Sequence, residues 1–327
     1  MIITILNALI AVVAGVAGAV VLYYLLNKLA EVLPDRVEEK VKPYLFLLPA
    51  LAAITLYLIY PALQTLFASF ANRNTTELVG FRNYTELLTS SSFQNTLVNT
   101  LLWVLIVPVV TIVLGLLIAT LADKMQPRGE KTAKTLIFLP MAISAVGAGA
   151  IWRFVYTASP PNQDQIGLLN GIKTALGGEP VGWLTVSDGR LNSFLLMVIL
   201  VWAQAGFAMV LLSAAIKGVP TETLEAARLD GAGEASIFFR VIVPQIRSTV
   251  ITVFITVLIG VLKTFDIVYV MTNGNFGTNI IAVDFFNQLF TNRNYGYAAA
   301  IVVMLVVVII PVMAYQVRQF RREEAAR

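Results

Sequence analysis

Seven stretches of the chain are long and apolar enough to cross a bilayer, and this limits the possible folds more than any motif does. A hydrocarbon core of about 30 Å takes about 20 apolar residues in a helix. Residues 3–26, 44–70, 96–122, 135–157, 193–216, 248–271 and 297–316 meet that length. Hydrophobic residues make up 58% of the 327 and charged residues only 13%, whereas soluble proteins run near half apolar and about a quarter charged. The excess faces lipid, where each segment must satisfy its own backbone polar groups, so the spans are helices. The expected fold is an all-α polytopic membrane protein with seven transmembrane helices.

The charges assign an orientation. Lys28, Arg36, Lys40 and Lys42 follow the first span, and Lys124, Arg128, Lys131 and Lys134 follow the third. Lys217, Arg228, Arg240 and Arg247 follow the fifth, and Arg318, Arg321, Arg322 and Arg327 the last. The alternate loops carry only Arg73, Arg82, Lys173, Arg190 and Arg293, while Arg153 and Lys263 lie inside apolar segments. Basic residues gather on the cytoplasmic side, so the expected topology is N-out and C-in. The first span is read as a retained helix and not a signal peptide, because Met1-Ile2-Ile3-Thr4 lacks a basic side chain and the positive flank follows the apolar run. The loop 158–191, with Ser159-Pro160-Pro161 and Gly177-Gly178-Glu179-Pro180, reads as irregular and exposed.

Histidine and cysteine are both absent. That excludes disulfides, thiol nucleophiles, His/Cys metal sites and histidine-based triads. Gly129-Glu130-Lys131-Thr132 lacks the leading glycine and the Gly-Lys pair of a nucleotide-binding loop. The sequons at Asn74 and Asn83 are short enough to arise by chance. The net charge of +4 marks sidedness and gives no sign of nucleic-acid binding.

The segment between the fifth and sixth spans is the most informative. Residues 218–244 read GVPTETLEAARLDGAGEASIFFRVIVP, the pattern of two short helices separated by a turn. Glu222 and Glu225 suit the positive end of a helix dipole, and Gly231 suits a left-handed stop. A second helix is expected from about 234 to 241, ending before Pro244. Glu225-Ala226-Ala227, then Asp230-Gly231-Ala232, and nine residues after Gly231 the run Val241-Ile242-Val243-Pro244, resemble the signature of bacterial binding-protein-dependent ABC importer permeases. The family's usual close is Ile-x-Leu-Pro, from which Val241 and Val243 depart conservatively.

The resemblance implies a type I ABC importer permease core in the prokaryotic inner membrane. It also implies a coupling helix that docks in a cleft of a separate ATPase and transmits its closure. On that reading Glu225, Ala226, Ala227, Asp230, Gly231 and Pro244 couple this chain to the ATPase. The chain itself is no enzyme and binds no cofactor, and ATP is hydrolysed by the partner. The implied assembly contains a second homologous permease, two copies of the ATPase, an extracytoplasmic solute-binding protein and membrane lipid. Arg228 and Arg240 read equally as topological charge.

Two further stretches narrow the branch. Thr264-Phe265-Asp266-Ile267-Val268-Tyr269-Val270-Met271-Thr272-Asn273-Gly274 and Tyr295-Gly296-Tyr297-Ala298-Ala299-Ala300 are similar to carbohydrate permeases, close to the larger maltose-type subunit. The Gly-Gly-Pro usual there is replaced by Asn273-Gly274-Asn275-Phe276-Gly277. The expected substrate is a sugar of the oligosaccharide or glucoside class. Polar residues inside apolar spans are costly and face protein or water, so Lys263 and Asp266 are candidates for the pathway. Similarity to the larger maltose-type subunit implies that the Lys263–Phe265 stretch, with Thr264 and Phe265, belongs to the sugar-contacting region. Spaced three apart, Lys263 and Asp266 would share a helical face, as a lining for sugar hydroxyls or as an ion pair reaching outward. By the same similarity, Trp202, Gln204 and Phe207 form the other half of the site, although aromatic residues in spans also serve as packing. Trp152, Arg153 and Tyr156 read as an anchor set at the outer interface.

The expected organisation is an extra first helix and linker (1–43), a second helix and outer loop (44–95), an ABC transmembrane core (96–317) with the coupling loop 217–247, and a tail (318–327). An ion-gradient-driven secondary transporter is the alternative. It is disfavoured by the lack of a clear internal repeat and by having only Asp266 as a carboxylate within an apolar span.

Overall fold

The computed structural model describes residues 2–160 and 163–325. Pro161, one of the two loop prolines, and Arg327 of the tail lie outside the described residues. Among those described the fold is almost wholly helical, with one isolated antiparallel bridge between Ala71 and Leu78.

The chain divides into two compact units between Phe67 and Ala68. The first contains α1 (Ile2–Glu31), α2 (Asp35–Ile54), a π turn (Thr55–Ile59) and most of α3 (Tyr60–Ala68). Tyr23 of α1 stacks on Phe46 of α2 at 5.7 Å, and Lys28 pairs with Glu31 at 2.8 Å where α1 ends. Most of its apolar side chains are exposed, as expected for helices surrounded by lipid.

The second unit begins with α4 (Arg82–Thr89), α5 (Ser91–Ala122), α6 (Pro127–Phe138) and α7 (Ala145–Tyr156). The fourth span is therefore not one straight helix: α6 runs on through a 3₁₀ turn at Leu139–Ala142 and meets α7 at 105° across Ile143 and Ser144. Pro140 lies in that turn, and Ser144 caps α7 by accepting from the Gly147 amide at 3.1 Å. Next come α8 (Leu168–Ala175), α9 (Leu191–Lys217), α10 (Thr221–Leu229) and α11 (Glu234–Ile237). A π turn (Phe238–Ile242) leads into α12 (Val243–Gln245), followed by α13 (Arg247–Leu262), α14 (Asp266–Met271), α15 (Ile281–Phe286) and α16 (Tyr295–Ala325). Among the described residues five helices are long and apolar enough to span on their own, and the number rises to seven if each of two bent pairs forms one span.

The core of this unit lies among α5, α7, α9, α13 and α14. Its tightest crossing is fixed by glycine. A Cβ on Gly115 of α5 would stand 2.8 Å from that of Ala208 on α9, and one on Gly206 would stand 2.4 Å from the Ile137 carbonyl oxygen of α6. Such spacing lets backbones touch, which drives helix association where no hydrophobic effect operates between helices.

The loop 158–191 is folded around one side chain, contrary to the sequence expectation. Asn170 of α8 is fully buried. It donates to the Thr157 and Val181 carbonyls (3.2 and 2.9 Å) and accepts from the Val181 amide and the Trp183 indole (2.9 and 3.0 Å). The run Asn273–Gly277 is likewise an ordered turn, with positive φ at Asn273, Gly274, Phe276 and Gly277. Buried Asn99 and Asn192 fasten it by donating to the carbonyls of Asn279 (3.0 Å) and Phe276 (2.8 Å). Asn83, of the second sequon, is also buried and donates to the Ser69 and Ala71 carbonyls.

Candidate functional site

The loop between α9 and α13 forms the platform expected from its sequence. Pro220 precedes α10, Glu222 lies in its first turn and Arg228 in its last, which suits the helix dipole. Gly231 takes φ +78°, a conformation that costs other residues a Cβ clash. This turns the chain so that the Ala232 amide bonds back to the Ala227 carbonyl at 3.0 Å. Arg228 then closes the turn on Glu234 at 2.9 Å. The pairing holds the Glu234 carboxyl below, and the Arg228 guanidinium above, their ordinary values.

Pro244 does not end the second helix. The helix continues through it to Gln245, and the 72° bend falls at Ile246. A proline clashes with the carbonyl four residues back and leaves it without a donor. Here the π turn Phe238–Ile242 immediately precedes α12 and absorbs that defect.

The tip of α10 is exposed at Glu225, Ala226 and Asp230, while Ala227 is half-buried. Leu229 is 88% exposed, and the sequence reading passed over it. An apolar side chain between Arg228 and Asp230 at the predicted cytoplasmic face was the available signal.

The candidate pathway residues meet around a broken helix. The sixth span is interrupted: α13 ends at Leu262, Lys263–Phe265 are non-helical, and α14 starts at Asp266. Lys263 and Asp266 therefore do not share a helical face, and they form no ion pair among the described residues. Both are exposed at the break. Thr264 turns its hydroxyl back to the Gly260 carbonyl at 3.2 Å.

Trp202, Phe207 and Phe265 pack against the same core. Gln204 reaches Gly260, where a Cβ would lie 3.9 Å from its Nε2, and its amide has no hydrogen-bond partner among the described residues. Phe265 stacks on Tyr269 at 4.8 Å and meets Phe286 at a 45° tilt at the same distance, and Phe286 meets Phe290 at a 42° tilt at 4.7 Å. Of these rings, Phe286 and Phe290 were not singled out from sequence. Their four-residue spacing on one short helical stretch was the missed signal.

Trp152, Arg153 and Tyr156, read from sequence as an anchor set, each contact a neighbouring helix. Tyr156 is buried and donates to the Leu195 carbonyl at 2.9 Å. Trp152 meets Trp202 edge-on at 5.7 Å, and Arg153 donates to the Val270 carbonyl near the C-terminal end of α14 at 3.2 Å. All three tie α7 to its neighbours, Arg153 from an exposed position. No group of three acidic residues that could hold a metal is present among the described residues.

Comparison with known proteins matches residues 107–324 to the model of the binding-protein-dependent transport system inner membrane component. The chain is 45% identical over 289 residues (88% of this chain, 85% of the relative) to the alpha-glucoside transport system permease protein AglF of Rhizobium meliloti. It is 46% identical over 283 residues (86% of this chain, all of the relative) to the osmoprotective compounds uptake permease protein GgtC of Synechocystis. Its fold superimposes, with a TM-score of 0.74 and 21% identity, on a chain of a bacterial ABC transporter that imports the acidic polysaccharide alginate, covering 88% of this chain and 99% of that one. The chain thus belongs to the family of binding-protein-dependent transport system inner membrane components.

Proposed function

We propose that the chain is a permease subunit of an ATP-driven sugar importer, carrying a glucoside or short oligosaccharide across the inner membrane. The name of the relative AglF supports the substrate class, and the aromatic rings and unpartnered Gln204 at the broken sixth span support where the sugar passes. Sugar rings stack on aromatic faces, and an amide both donates and accepts. Interrupted membrane helices put free backbone groups beside transported ligands.

In this reading α10 docks in a cleft of a separate ATPase. Glu225 meets basic groups there, Ala226 and Ala227 allow close approach, and Leu229 fills an apolar hollow. Asp230 and Gly231 shape the turn, and Pro244 follows the π turn in the return helix. The chain is oriented N-out and C-in, with residues 96–317 as the translocating core and 1–43 as an added helix and linker. It works with a second permease, two ATPase copies and a solute-binding protein, and it holds no cofactor itself.

The exposed, pre-shaped tip of α10 carries this reading. Its test uses the complete transporter. Leu229→Asp is expected to abolish stimulation of ATP hydrolysis by sugar-loaded binding protein while the chain still inserts in membranes. Full stimulation in that variant would refute docking through α10.

A further inference from the structure

Directly before α10 the ends of three long elements are joined by a compact ionic network. Asp123 follows the last turn of α5, Glu130 and Lys134 sit on α6, and Ser213 and Lys217 occupy the last turns of α9. Lys134 Nζ stands 2.6 Å from both Asp123 Oδ1 and Glu130 Oε1 and also donates to Ser213 Oγ. Ser213 Oγ donates in turn to Asp123 Oδ1 at 2.9 Å. Lys217 pairs with Glu130 and lies 3.7 Å from Asp123 Oδ1. The side chains of Asp123, Glu130 and Lys134 are only 16–19% exposed. Two carboxylates and two ammonium groups leave the cluster neutral. Lys134 and Lys217 hold the Glu130 carboxyl down at about 2, so that carboxyl stays ionised at physiological pH.

The connection onward is short and stiff. Only Gly218, Val219 and Pro220 separate α9 from α10. The Gly218 amide bonds to the Ala214 and Ala215 carbonyls and the Val219 amide to that of Ile216, at 3.1 Å each, and the Val219 side chain is buried. Pro220 has a fixed φ. A push on α10 therefore arrives at Lys217. Apolar helix surfaces can slide past one another in steps, whereas a network of short, directional charged bonds resists sliding because each bond is lost within a small displacement.

We propose that Asp123, Glu130, Lys134, Ser213 and Lys217 form a rigid joint that makes α5, α6, α9 and α10 move as one block, so that ATPase closure is delivered to three membrane helices at once. These are positioning residues, and the proposal rests on the docking of α10 to an ATPase.

The chain contains no cysteine, so introduced pairs on it can be spin-labelled selectively. In the assembled transporter, Glu222→Cys with Arg128→Cys reports within the block, and Glu222→Cys with Leu176→Cys reports from the block to the loop 158–191. All three positions are exposed. On adding a non-hydrolysable ATP analogue, the first distance should hold to within about 2 Å while the second changes. In Lys134→Gln the first distribution should broaden, and the ratio of stimulated to unstimulated ATPase activity should fall about tenfold, as expected for loss of a charge-assisted network. Ser213→Ala, which removes one hydroxyl, should shift both in the same direction if Lys134→Gln does not assemble. A first distance in the unmodified background that changes by about 5 Å, one helical turn, while the second also moves, overturns the joint alone. Unchanged stimulation in an assembled Lys134→Gln complex overturns it too. If neither distance responds to nucleotide, the docking of α10 fails and the joint with it.

Discussion

The Cα of Gly206 passes so close to α6 that a Cβ there would come within 2.4 Å of the Ile137 carbonyl oxygen. That carbonyl belongs to the backbone and cannot rotate away like a flexible side chain. Gly206→Val is therefore expected to cost at least about 2 kcal/mol by overpacking, seen as a lower melting temperature in detergent and reduced membrane yield. Gly15, with nothing within 4 Å of its would-be Cβ, should accept the same change with little effect.

Asn170 satisfies four groups of the 158–191 loop with one side chain. In Asn170→Leu the buried partners lose their bonds, at about 1–3 kcal/mol for each group left unsatisfied. Limited proteolysis of membranes should then cut within 158–191 much faster than in the unmodified protein.

Gln204 lies beside Gly260, close to the break in the sixth span, and has no hydrogen-bond partner among the described residues, so its removal should be felt in substrate use more than in folding. Gln204→Leu is expected to raise the sugar concentration for half-maximal uptake about tenfold, the scale of one or two lost hydrogen bonds. The melting temperature should change little. An unchanged uptake curve would place the sugar elsewhere.

Asp284 gives a dependence on pH. Burial pushes its carboxyl above the ordinary 3.8, against the downward pull of hydrogen bonds from Gln288 and Asn279. A group whose folded pKa is raised stabilises fully below its unfolded value, and that stability is lost as pH rises through the folded pKa. Asp284→Asn should therefore raise the melting temperature at neutral pH, with the gain shrinking toward about pH 4.

The apolar membrane helices and the α10 platform were legible because they rest on local signals. One is apolar length; another is the left-handed glycine at position 231, which fixes a turn without reference to anything distant. The parts missed depend on residues far apart in sequence. The bend between α6 and α7 falls at Ile143 and Ser144, inside an apolar run whose length alone suggested a straight helix. The gap between Leu262 and Asp266 contains no proline or glycine to announce it. Pro244 looked like a stop, yet a π turn preceding it lets the helix continue. The platform's ionic network joins Lys134 to Ser213 across 79 positions, and the charge count had assigned Lys134 and Lys217 to topology alone. Asn170 likewise gave no sign in sequence of being the centre of a loop.

The central claim is ATP-driven sugar import through this chain, and uptake in proteoliposomes tests it most directly. With the assembled transporter, binding protein outside and ATP inside, labelled α-glucoside should accumulate only when ATP and binding protein are both present, and an ionophore should leave uptake unchanged. Accumulation that persists without ATP and collapses when the ionophore is added would contradict the account and establish an ion-gradient-driven carrier instead.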